Sequence, residues 1–142
     1  MMTVDLEVLF KIVNTIVLPM WLMLIIIPNH KITKKLITIP VIPLLLAGTY
    51  LFIVIPGLAA ANPDDFTTLK GLKKLFQTDE AVLAGWIHYL AFDLAVGMWL
   101  VFQNRSVNIS NWLMIPVLLF TFMIGPAGFL LFYIMKLFKK KA

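Results

Sequence analysis

The sequence contains no cysteine and few charged residues, and each shortage excludes a set of functions. Without cysteine the chain has no disulfides, no thiolate metal ligands and no thiol nucleophile. Charged residues are 13% of the 142, about half the share in a soluble domain, whereas 61% are hydrophobic. This composition is typical of an integral membrane protein. It leaves room for about four helical spans of ~20 residues in a single domain, residues 1–142, and for no soluble domain.

Motifs for soluble chemistry are also missing from the sequence. There is no glycine-rich phosphate loop, no Ser/His/Asp arrangement and no histidine cluster with metal-ligand spacing. We therefore predict no metal site and no cofactor. The net charge of +5 comes from lysines outside the apolar runs, which indicates orientation and contact with anionic membrane lipids rather than nucleic-acid binding.

Four apolar runs predict the fold class. They cover residues 8–27, 36–55, 81–102 and 112–135. Each is long enough for a transmembrane helix. The acidic residues before the first run, and its length, argue against a cleavable signal peptide. The predicted fold is an all-α, polytopic membrane protein with a bundle of four transmembrane helices.

A polar connection between the second and third runs carries a helical pattern of its own. Apolar residues recur at spacings of three and four, with lysines opposite them: Phe66, Leu69, Leu72, Leu75 and Phe76. This pattern predicts a short amphipathic helix over residues 65–76 that lies in the membrane interface. Two roles fit it, a plain anchor or a lid over a cavity that opens to the membrane.

The third run contains the chain's most informative polar residues, His88 and Asp93. Asp93 is the only acidic residue in any apolar run, and at that depth a carboxylate costs at least ~2.5–3.5 kcal/mol. On a helix His88 and Asp93 are about 140° and ~7.5 Å apart, with Tyr89 between them in angle and Trp86 one turn before Asp93. Two interpretations stay open. The pair is functional, or it only joins helices through hydrogen bonds.

Other runs supply further candidate site residues. Asn14 in the first run is placed to bond across to a neighbouring helix. Gly125-Pro126-Ala127-Gly128 interrupts the fourth run, and such a break is tolerated where it lines a protein cavity. A simple kink with a small-residue packing face is the alternative. We predict a pocket that opens toward the membrane and is lined by Asn14, Trp86, Tyr89, Asp93, Gly125, Pro126 and Gly128.

Basic residues suggest the membrane orientation. With four spans, eight lysines flank one side, namely Lys11, Lys70, Lys73, Lys74, Lys136, Lys139, Lys140 and Lys141. Four basic residues flank the other side, namely Lys31, Lys34, Lys35 and Arg105. The excess predicts that both termini lie in the cytoplasm, although the basic first connection argues the other way.

A series of short motifs extends over nearly the whole chain, namely Leu18-Pro19, Pro28-Asn29, Thr33-Lys34-Lys35, Leu75-Phe76, Trp86-Ile87-His88 with Asp93, and Pro126-Ala127-Gly128. In their order and spacing these motifs resemble the abscisic-acid-deficient-four family, the neoxanthin-synthase-like membrane proteins of plants, algae and bacteria. The most specific piece is the one that contains His88 and Asp93.

The resemblance implies a membrane-embedded isomerase that acts on a carotenoid, xanthophyll or related isoprenoid without a cofactor. Such an isomerisation needs an acid to open an epoxide, stabilisation of the carbocation, and a base to remove a proton. His88 and Asp93 would be the catalytic acid and base and would share a proton. Trp86 and Tyr89 would face the cation. Since no plastid transit peptide is present, the expected location is a bacterial inner membrane.

Two other classes of function remain open at this point. One is a non-catalytic carotenoid- or lipid-binding membrane protein that assists another enzyme. The other is a small assembly partner without a ligand. The expected partners are a lipid-soluble isoprenoid or carotenoid, membrane lipids and a second copy of the chain. Burial of His88 and Asp93 in one span favours the two classes that bind a ligand.

Overall fold

The computed structural model describes residues 5–139, and every regular element within that range is helical. The helices are α1 (Leu6–Ile26), α2 (Lys31–Thr38), α3 (Val41–Ala60), a 3-10 turn (Pro63–Phe66), α4 (Leu69–Leu75), α5 (Asp79–Val107), α6 (Asn111–Met123) and α7 (Gly125–Lys139). The predicted all-α class is confirmed. The second apolar run begins with a separate helix, because Pro40 interrupts the chain between α2 and α3.

Local capping fixes where the long helices begin. Thr78 precedes α5, and its hydroxyl accepts a hydrogen bond from the backbone N–H of Ala81 at 3.3 Å. Asp79 and Glu80 follow in the first turn, where the helix dipole favours acidic side chains. Asp5 caps α1 in the same way, accepting from Glu7 N–H at 3.0 Å.

Helix α5 is the centre of the bundle, with α1 parallel and α3 antiparallel to it. Asn14 of α1 contacts Trp86, and Trp21, further along α1, lies against Gly97. A Cβ atom at Gly97 would collide with the indole of Trp21, so glycine permits this close approach. Helix α3 runs antiparallel to α5. Its first turn lies near the end of α5, and Tyr50, further along α3, lies beside His88.

Three helical segments are long and apolar enough to cross a membrane. They are Leu6–Ile26, Lys31–Ala59 and Asp79–Val107. The third has 29 residues, which corresponds to about 43 Å at ~1.5 Å per residue and exceeds the hydrocarbon core of a bilayer.

The fourth apolar run does not form one long helix. As predicted, it breaks at the glycine-proline motif, where α6 ends at Met123 and α7 begins at Gly125. In a straight helix Val117 and Gly128 would be about 16 Å apart along the axis. Instead, Gly128 lies so close to α6 that an added Cβ atom would collide with the Val117 carbonyl oxygen and the Thr121 backbone nitrogen. Helix α7 therefore folds back along α6, and the two form a hairpin.

The tip of this hairpin reaches the middle of α5, and from there α7 runs back toward the end of α5. At the tip, Gly125 lies against Asp93, which is the central residue of α5. Beyond the tip, Phe132 shares a buried cluster with Leu100 and Met114, at the level where α6 begins. Asp5 and Lys139 therefore lie at opposite ends of the bundle. This differs from the predicted arrangement, in which a fourth span returns the chain to the side of the N-terminus.

The connection between α3 and α5 contains less helix than predicted. The 3-10 turn, capped by Asn62, and α4 together occupy most of residues 65–76, and Lys74 forms a salt bridge of 3.0 Å to Asp65. Large apolar side chains of this connection are exposed, namely Phe66, Leu69, Leu72 and Phe76. The α-helix of this connection, α4, is therefore shorter than the predicted helix over residues 65–76.

Candidate functional site

Five of the predicted site residues meet where the hairpin tip touches α1 and α5. Asn14, Trp86, Tyr89, Asp93 and Gly125 come from three different parts of the chain. Trp86 Nε1–H donates to Asn14 Oδ1 at 3.1 Å, and the Asn14 amide donates to its own helix at Phe10 O at 2.7 Å. The predicted cross-helix role of Asn14 is thus observed, with Trp86 as its partner.

Tyr89 joins this group to the hairpin. Its ring packs on Trp86 with centroids 5.3 Å apart. Its hydroxyl donates to the carbonyl oxygen of Met123 at 2.7 Å, with that of Phe122 at 3.4 Å. These carbonyls belong to the last turn of α6 and have no partner within their own helix. Tyr89 therefore caps the C-terminal end of α6 from α5.

Asp93 lies on the other side of the same break, at the N-terminal end of α7. Its carboxylate is in contact with Gly125, the first residue of α7, with the Gly125 backbone N–H and the Tyr89 hydroxyl beside it. An added Cβ at Gly125 would collide with the carboxylate, so only glycine allows this approach. A carboxylate at a helix N-terminus is stabilised by unpaired N–H groups and by the helix dipole. Helix α5 thus provides a hydrogen-bond donor, Tyr89, for the end of α6 and an acceptor, Asp93, for the start of α7.

One oxygen of the Asp93 carboxylate has no hydrogen-bond partner in this arrangement. Oδ2 is buried and has no hydrogen-bond partner among residues 5–139. An unpaired polar atom in an apolar environment is costly, and such atoms in native structures call for an explanation. The Oδ2 atom is therefore the one polar group at the tip whose hydrogen-bonding capacity the described residues leave unused.

The hairpin covers only half the length of α5, and part of the face of α5 below the hairpin tip is exposed. Val82, Trp86, Tyr89 and Asp93 follow one another on one face of α5 at spacings of four, three and four. The hairpin covers Asp93, whereas Val82 and Trp86 are exposed at 55% and 40%. We call this surface the leaflet recess. Its walls and the tip above it are formed by Phe10, Asn14, Val82, Trp86, Tyr89, Asp93, Met123 and Ile124.

The leaflet recess is about one leaflet deep. From Val82 to Asp93 the rise along α5 is about 16 Å, close to half of a ~30 Å hydrocarbon core. Met123 and Ile124 at its upper end are exposed at 65% and 58%. The leaflet recess is thus an exposed, largely apolar surface that ends at the hairpin tip, where Tyr89 and Asp93 contact the hairpin.

His88 does not belong to this site, and its predicted pairing with Asp93 is not found. It projects from another side of α5, where its ring packs against Phe92 at 4.6 Å and Tyr50 at 5.6 Å between centroids. Its side chain is exposed on the surface of the bundle. The reason is the 140° between positions 88 and 93, which sends the two side chains into different helix contacts.

The remaining predicted residues lie near the tip but act through the backbone. Gly128 is buried and packs against α6, where Thr121 donates to the Val117 carbonyl at 2.8 Å. Pro126 is exposed in the first turn of α7, a position at which its missing N–H costs little. Both residues shape the hairpin, and neither presents a polar side chain to the recess.

Two cavities of the described chain lie away from the leaflet recess. The larger, about 380 Å³, is lined by Ile37, Thr38, Pro40, Ala95, Met98, Trp99 and Phe102. The smaller, about 90 Å³, lies among the asparagines near the ends of α1 and α5. Neither is lined by Trp86, Tyr89 or Asp93, so neither is the predicted pocket that opens toward the membrane.

Sequence reasoning missed the backbone carbonyls of Phe122 and Met123 as members of the site. A signal was available, because Tyr89 and Asp93 are four residues apart and so stack on one helix face. Such a donor and acceptor pair is suited to the two unpaired ends of a broken helix. Among residues 5–139 no group of three His, Asp or Glu side chains could hold a metal ion.

The chain is thus a small all-helical protein that has, within residues 5–139, three helical segments long and apolar enough to cross a membrane. The chain belongs to the ABA DEFICIENT 4-like family, whose model matches residues 8–132. The match includes the whole leaflet recess and confirms the family resemblance noted in the sequence. Membership relates the chain to carotenoid and xanthophyll metabolism. Comparisons with curated proteins and with solved structures gave no significant match.

Proposed function

We propose that the protein is a membrane-embedded isomerase of a carotenoid, xanthophyll or related isoprenoid, and that the leaflet recess holds the reacting end group. The observation that carries the proposal is the buried and unpaired Oδ2 of Asp93, which lies at the hairpin tip above the exposed part of this face of α5. A lipid-soluble ligand can reach this surface from the bilayer without passing through water. Family membership supports the ligand class.

Binding in the recess would combine aromatic and polar contacts. Trp86 and Tyr89 pack on each other with centroids 5.3 Å apart, and apolar end groups pack well against such aromatic pairs. A hydroxyl or epoxide oxygen at the end of the ligand would meet Asp93 Oδ2. This pairing would satisfy the only buried side-chain polar atom without a partner among residues 5–139.

A single carboxyl group can supply both proton transfers of the proposed isomerisation. In its acid form Asp93 donates a proton to the epoxide oxygen, and the C–O bond breaks to leave a hydroxyl and a carbocation. Trp86 and Tyr89 stabilise the cation through their ring faces. The Asp93 carboxylate then removes a proton from the neighbouring carbon, whose electron pair forms the new double bond. The proton balance is zero, so no cofactor is needed.

A non-catalytic carotenoid- or lipid-binding protein is the second candidate, and one observation favours it. Tyr89 and Asp93 are both engaged with the broken ends of the hairpin. A carboxylate that caps α7 has a structural reason to be there without any chemistry. In this case the recess would hold the ligand and present it to another enzyme.

Ligand retention tests both candidates together. Protein purified in mild detergent from a carotenoid-producing host is expected to carry bound pigment, measured by absorbance and mass spectrometry. Trp86→Ala removes one aromatic wall of the recess and should lower pigment per protein about tenfold, which corresponds to ~1.4 kcal/mol. The matched control is Trp112→Ala, because Trp112 is 83% exposed at the start of α6. If the purified protein holds no isoprenoid and takes up none from liposomes, both ligand-binding functions are rejected.

We further propose a membrane arrangement of three spans and a hairpin that enters from one side only. The hairpin helices have 13 and 15 residues, too few to cross ~30 Å each. Helix α4, with its exposed apolar residues, would lie in the interface at the other side. This replaces the four-span arrangement that hydropathy alone favours.

Charge supports an orientation for this arrangement. One end of the bundle carries basic residues only, namely Lys31, Lys34, Lys35, Arg105, Lys136 and Lys139 within the described range. The other end carries every acidic residue except Asp93, namely Asp5, Glu7, Asp64, Asp65, Asp79 and Glu80, and four basic residues, namely Lys11, Lys70, Lys73 and Lys74. By the excess of basic residues, the first end faces the cytoplasm. The C-terminus would then be cytoplasmic and the N-terminus outside, in contrast to the predicted cytoplasmic position of both.

Cysteine labelling distinguishes the two arrangements, because the chain has no cysteine of its own. Single variants Lys31→Cys, Lys70→Cys and Lys139→Cys would be treated in intact cells with a membrane-impermeant maleimide. With three spans and a hairpin, Lys31→Cys and Lys139→Cys are protected and Lys70→Cys is labelled. With four spans, Lys139→Cys behaves like Lys70→Cys. Permeabilised cells, in which all three variants react, are the control.

A further inference from the structure

A polar cavity of about 90 Å³ lies at the end of the bundle where α1 and α5 end and α6 begins. Five polar side chains line it, and none of them is acidic: Asn29, Asn104, Arg105, Asn108 and Asn111. The rest of its lining is apolar and comes from the same ends of the three helices. We call this space the asparagine cavity.

The asparagine cavity lies at the depth of the lipid headgroups. The first apolar run ends at residue 27, two residues before Asn29. The third ends at residue 102, and Arg105 follows three residues, or about 4.5 Å, further along α5. The fourth begins at residue 112, directly after Asn111, and Trp112 is 83% exposed at this level, where interfacial aromatic residues are enriched. Three apolar runs therefore meet the membrane interface around this cavity.

The turn between α5 and α6 fixes the shape of the asparagine cavity. The side-chain amide of Asn104 donates to the carbonyl oxygen of Ile109, and its side-chain oxygen accepts from the Ile109 N–H, both at 2.8 Å. Asn108 ends α5 in the left-handed region with a φ of 59°, a conformation that asparagine adopts more readily than most residues. The lining is thus positioned before any ligand binds, which lowers the entropic cost of binding.

Arg105 gives the asparagine cavity a positive charge that no described residue neutralises. Its guanidinium lies 5.3 Å from the ring centroid of Phe102 and forms no salt bridge among residues 5–139. Asp93 is twelve residues away, about 18 Å along α5, and the other described acidic residues lie at the opposite end of the bundle. An anion from outside the chain would supply the missing counter-charge.

The donors around the asparagine cavity suit a phosphate group. A guanidinium presents a planar fork of N–H groups that matches two oxygens of a phosphate. The side chains of Asn29, Asn108 and Asn111 make no hydrogen bond to a residue within 5–139, so their amide N–H groups can donate to the remaining oxygens. The first turn of α6 adds to the positive potential, because it lines the cavity and the Ser110 side chain does not cap it.

Depth and charge together select the source of the phosphate. A single guanidinium among neutral amides matches the one negative charge of a phosphodiester, which is the phosphate of a phospholipid. The neighbouring helix α2 carries Lys31, Lys34 and Lys35 and no acidic residue, which disfavours a headgroup with a cation of its own. We propose that the asparagine cavity binds the phosphate group of an anionic phospholipid. The site lies beyond the leaflet recess on α5 and does not depend on the proposed isomerase.

Lipid-dependent thermal stability tests this site. A phosphate in the asparagine cavity would join the ends of α1, α5 and α6, and a ligand that binds only the folded state raises the melting temperature. Purified protein in non-ionic detergent would be titrated with phosphatidylglycerol, with phosphatidylcholine of the same acyl chains, or with inorganic phosphate at constant ionic strength. We expect phosphatidylglycerol to raise the melting temperature and phosphatidylcholine to have a much smaller effect. Native mass spectrometry would count the phosphatidylglycerol molecules that stay bound.

Variants separate this site from a general attraction between lysines and anionic lipid. Arg105→Gln should weaken the apparent affinity for phosphatidylglycerol at least about tenfold, the value of a charge-assisted hydrogen bond. Asn108→Gly keeps the left-handed turn but removes one amide, so it should weaken binding several-fold without lowering the melting temperature of lipid-free protein. Lys139→Gln removes the same charge at the same end of the bundle but outside the cavity, and should change the affinity by less than about twofold.

Each outcome decides the proposal. A shift with phosphatidylglycerol alone supports a lipid headgroup, and inorganic phosphate that also stabilises the protein and competes with the lipid supports the same phosphate site. A shift with inorganic phosphate alone would replace the lipid by a soluble phosphate. No shift with any probe, equal shifts with the two lipids, or equal losses in Arg105→Gln and Lys139→Gln would overturn the proposal. Should Arg105→Gln fail to fold, unchanged affinity in Asn108→Gly would overturn it as well. Trp86→Ala should leave the lipid effect intact, because the leaflet recess is a separate site.

Discussion

Replacing Gly128 with alanine is expected to destabilise the bundle strongly. The added Cβ would meet the Thr121 backbone nitrogen and the Val117 carbonyl oxygen, and backbone atoms cannot move aside as a flexible side chain can. The hairpin would have to open, which would also separate Tyr89 from Met123 and Asp93 from Gly125. We expect a loss of several kcal/mol, at or beyond the ~1–3 kcal/mol typical of overpacking, measured as a large drop in the melting temperature in detergent.

Gly48 provides the matched control for that experiment. It lies in the middle of α3 with no atom within 4 Å of an added Cβ. Gly48→Ala should therefore leave the melting temperature unchanged or raise it slightly, because alanine favours a helix by about 1 kcal/mol over glycine. Equal melting temperatures for the two alanine variants would mean that α6 and α7 do not pack against each other as described.

Much of the fold follows from local rules that the sequence displays directly. Apolar runs of about twenty residues become helices because lipid offers no partner for backbone groups. Thr78 begins α5 and the glycine-proline motif ends α6, as capping and breaking rules predict. None of these features depends on contacts between distant parts of the chain.

The path of the fourth apolar run could not be predicted in this way. A run of 24 residues is long enough to span, and a glycine-proline break permits either a kink or a reversal. The choice is made by tertiary contacts that hydropathy does not contain. Gly128 allows backbone contact with α6, and Asp93 fits against Gly125.

Residue type alone also did not predict the contacts made by the polar residues of the third run. His88 and Asp93 were grouped because both are rare in membrane spans, yet helix geometry separates them. Tyr89 was expected only to face the ligand, but its position one turn before Asp93 makes it the partner of the broken helix. Depth in the bilayer explains why these residues are unusual, and helix face explains what each one contacts.

Asp93→Asn is expected to separate the isomerase from the carrier more sharply than any other change. Asparagine keeps the shape of the side chain and an oxygen that can accept from Gly125 N–H, so the hairpin should stay folded. It cannot donate and then recover a proton, so an enzyme should lose turnover by about 10²–10⁴-fold while it still retains pigment. A carrier should bind and deliver as well as the wild type.

His88→Gln is the matched control, since His88 lies outside the recess, and its turnover should stay within a few-fold of wild type. Product formation would be measured in a carotenoid-producing host at matched protein levels. Full activity of the Asp93→Asn strain would remove the acid/base role of Asp93 and leave the carrier function, whereas loss of activity in both variants would mean that His88 also takes part in the reaction.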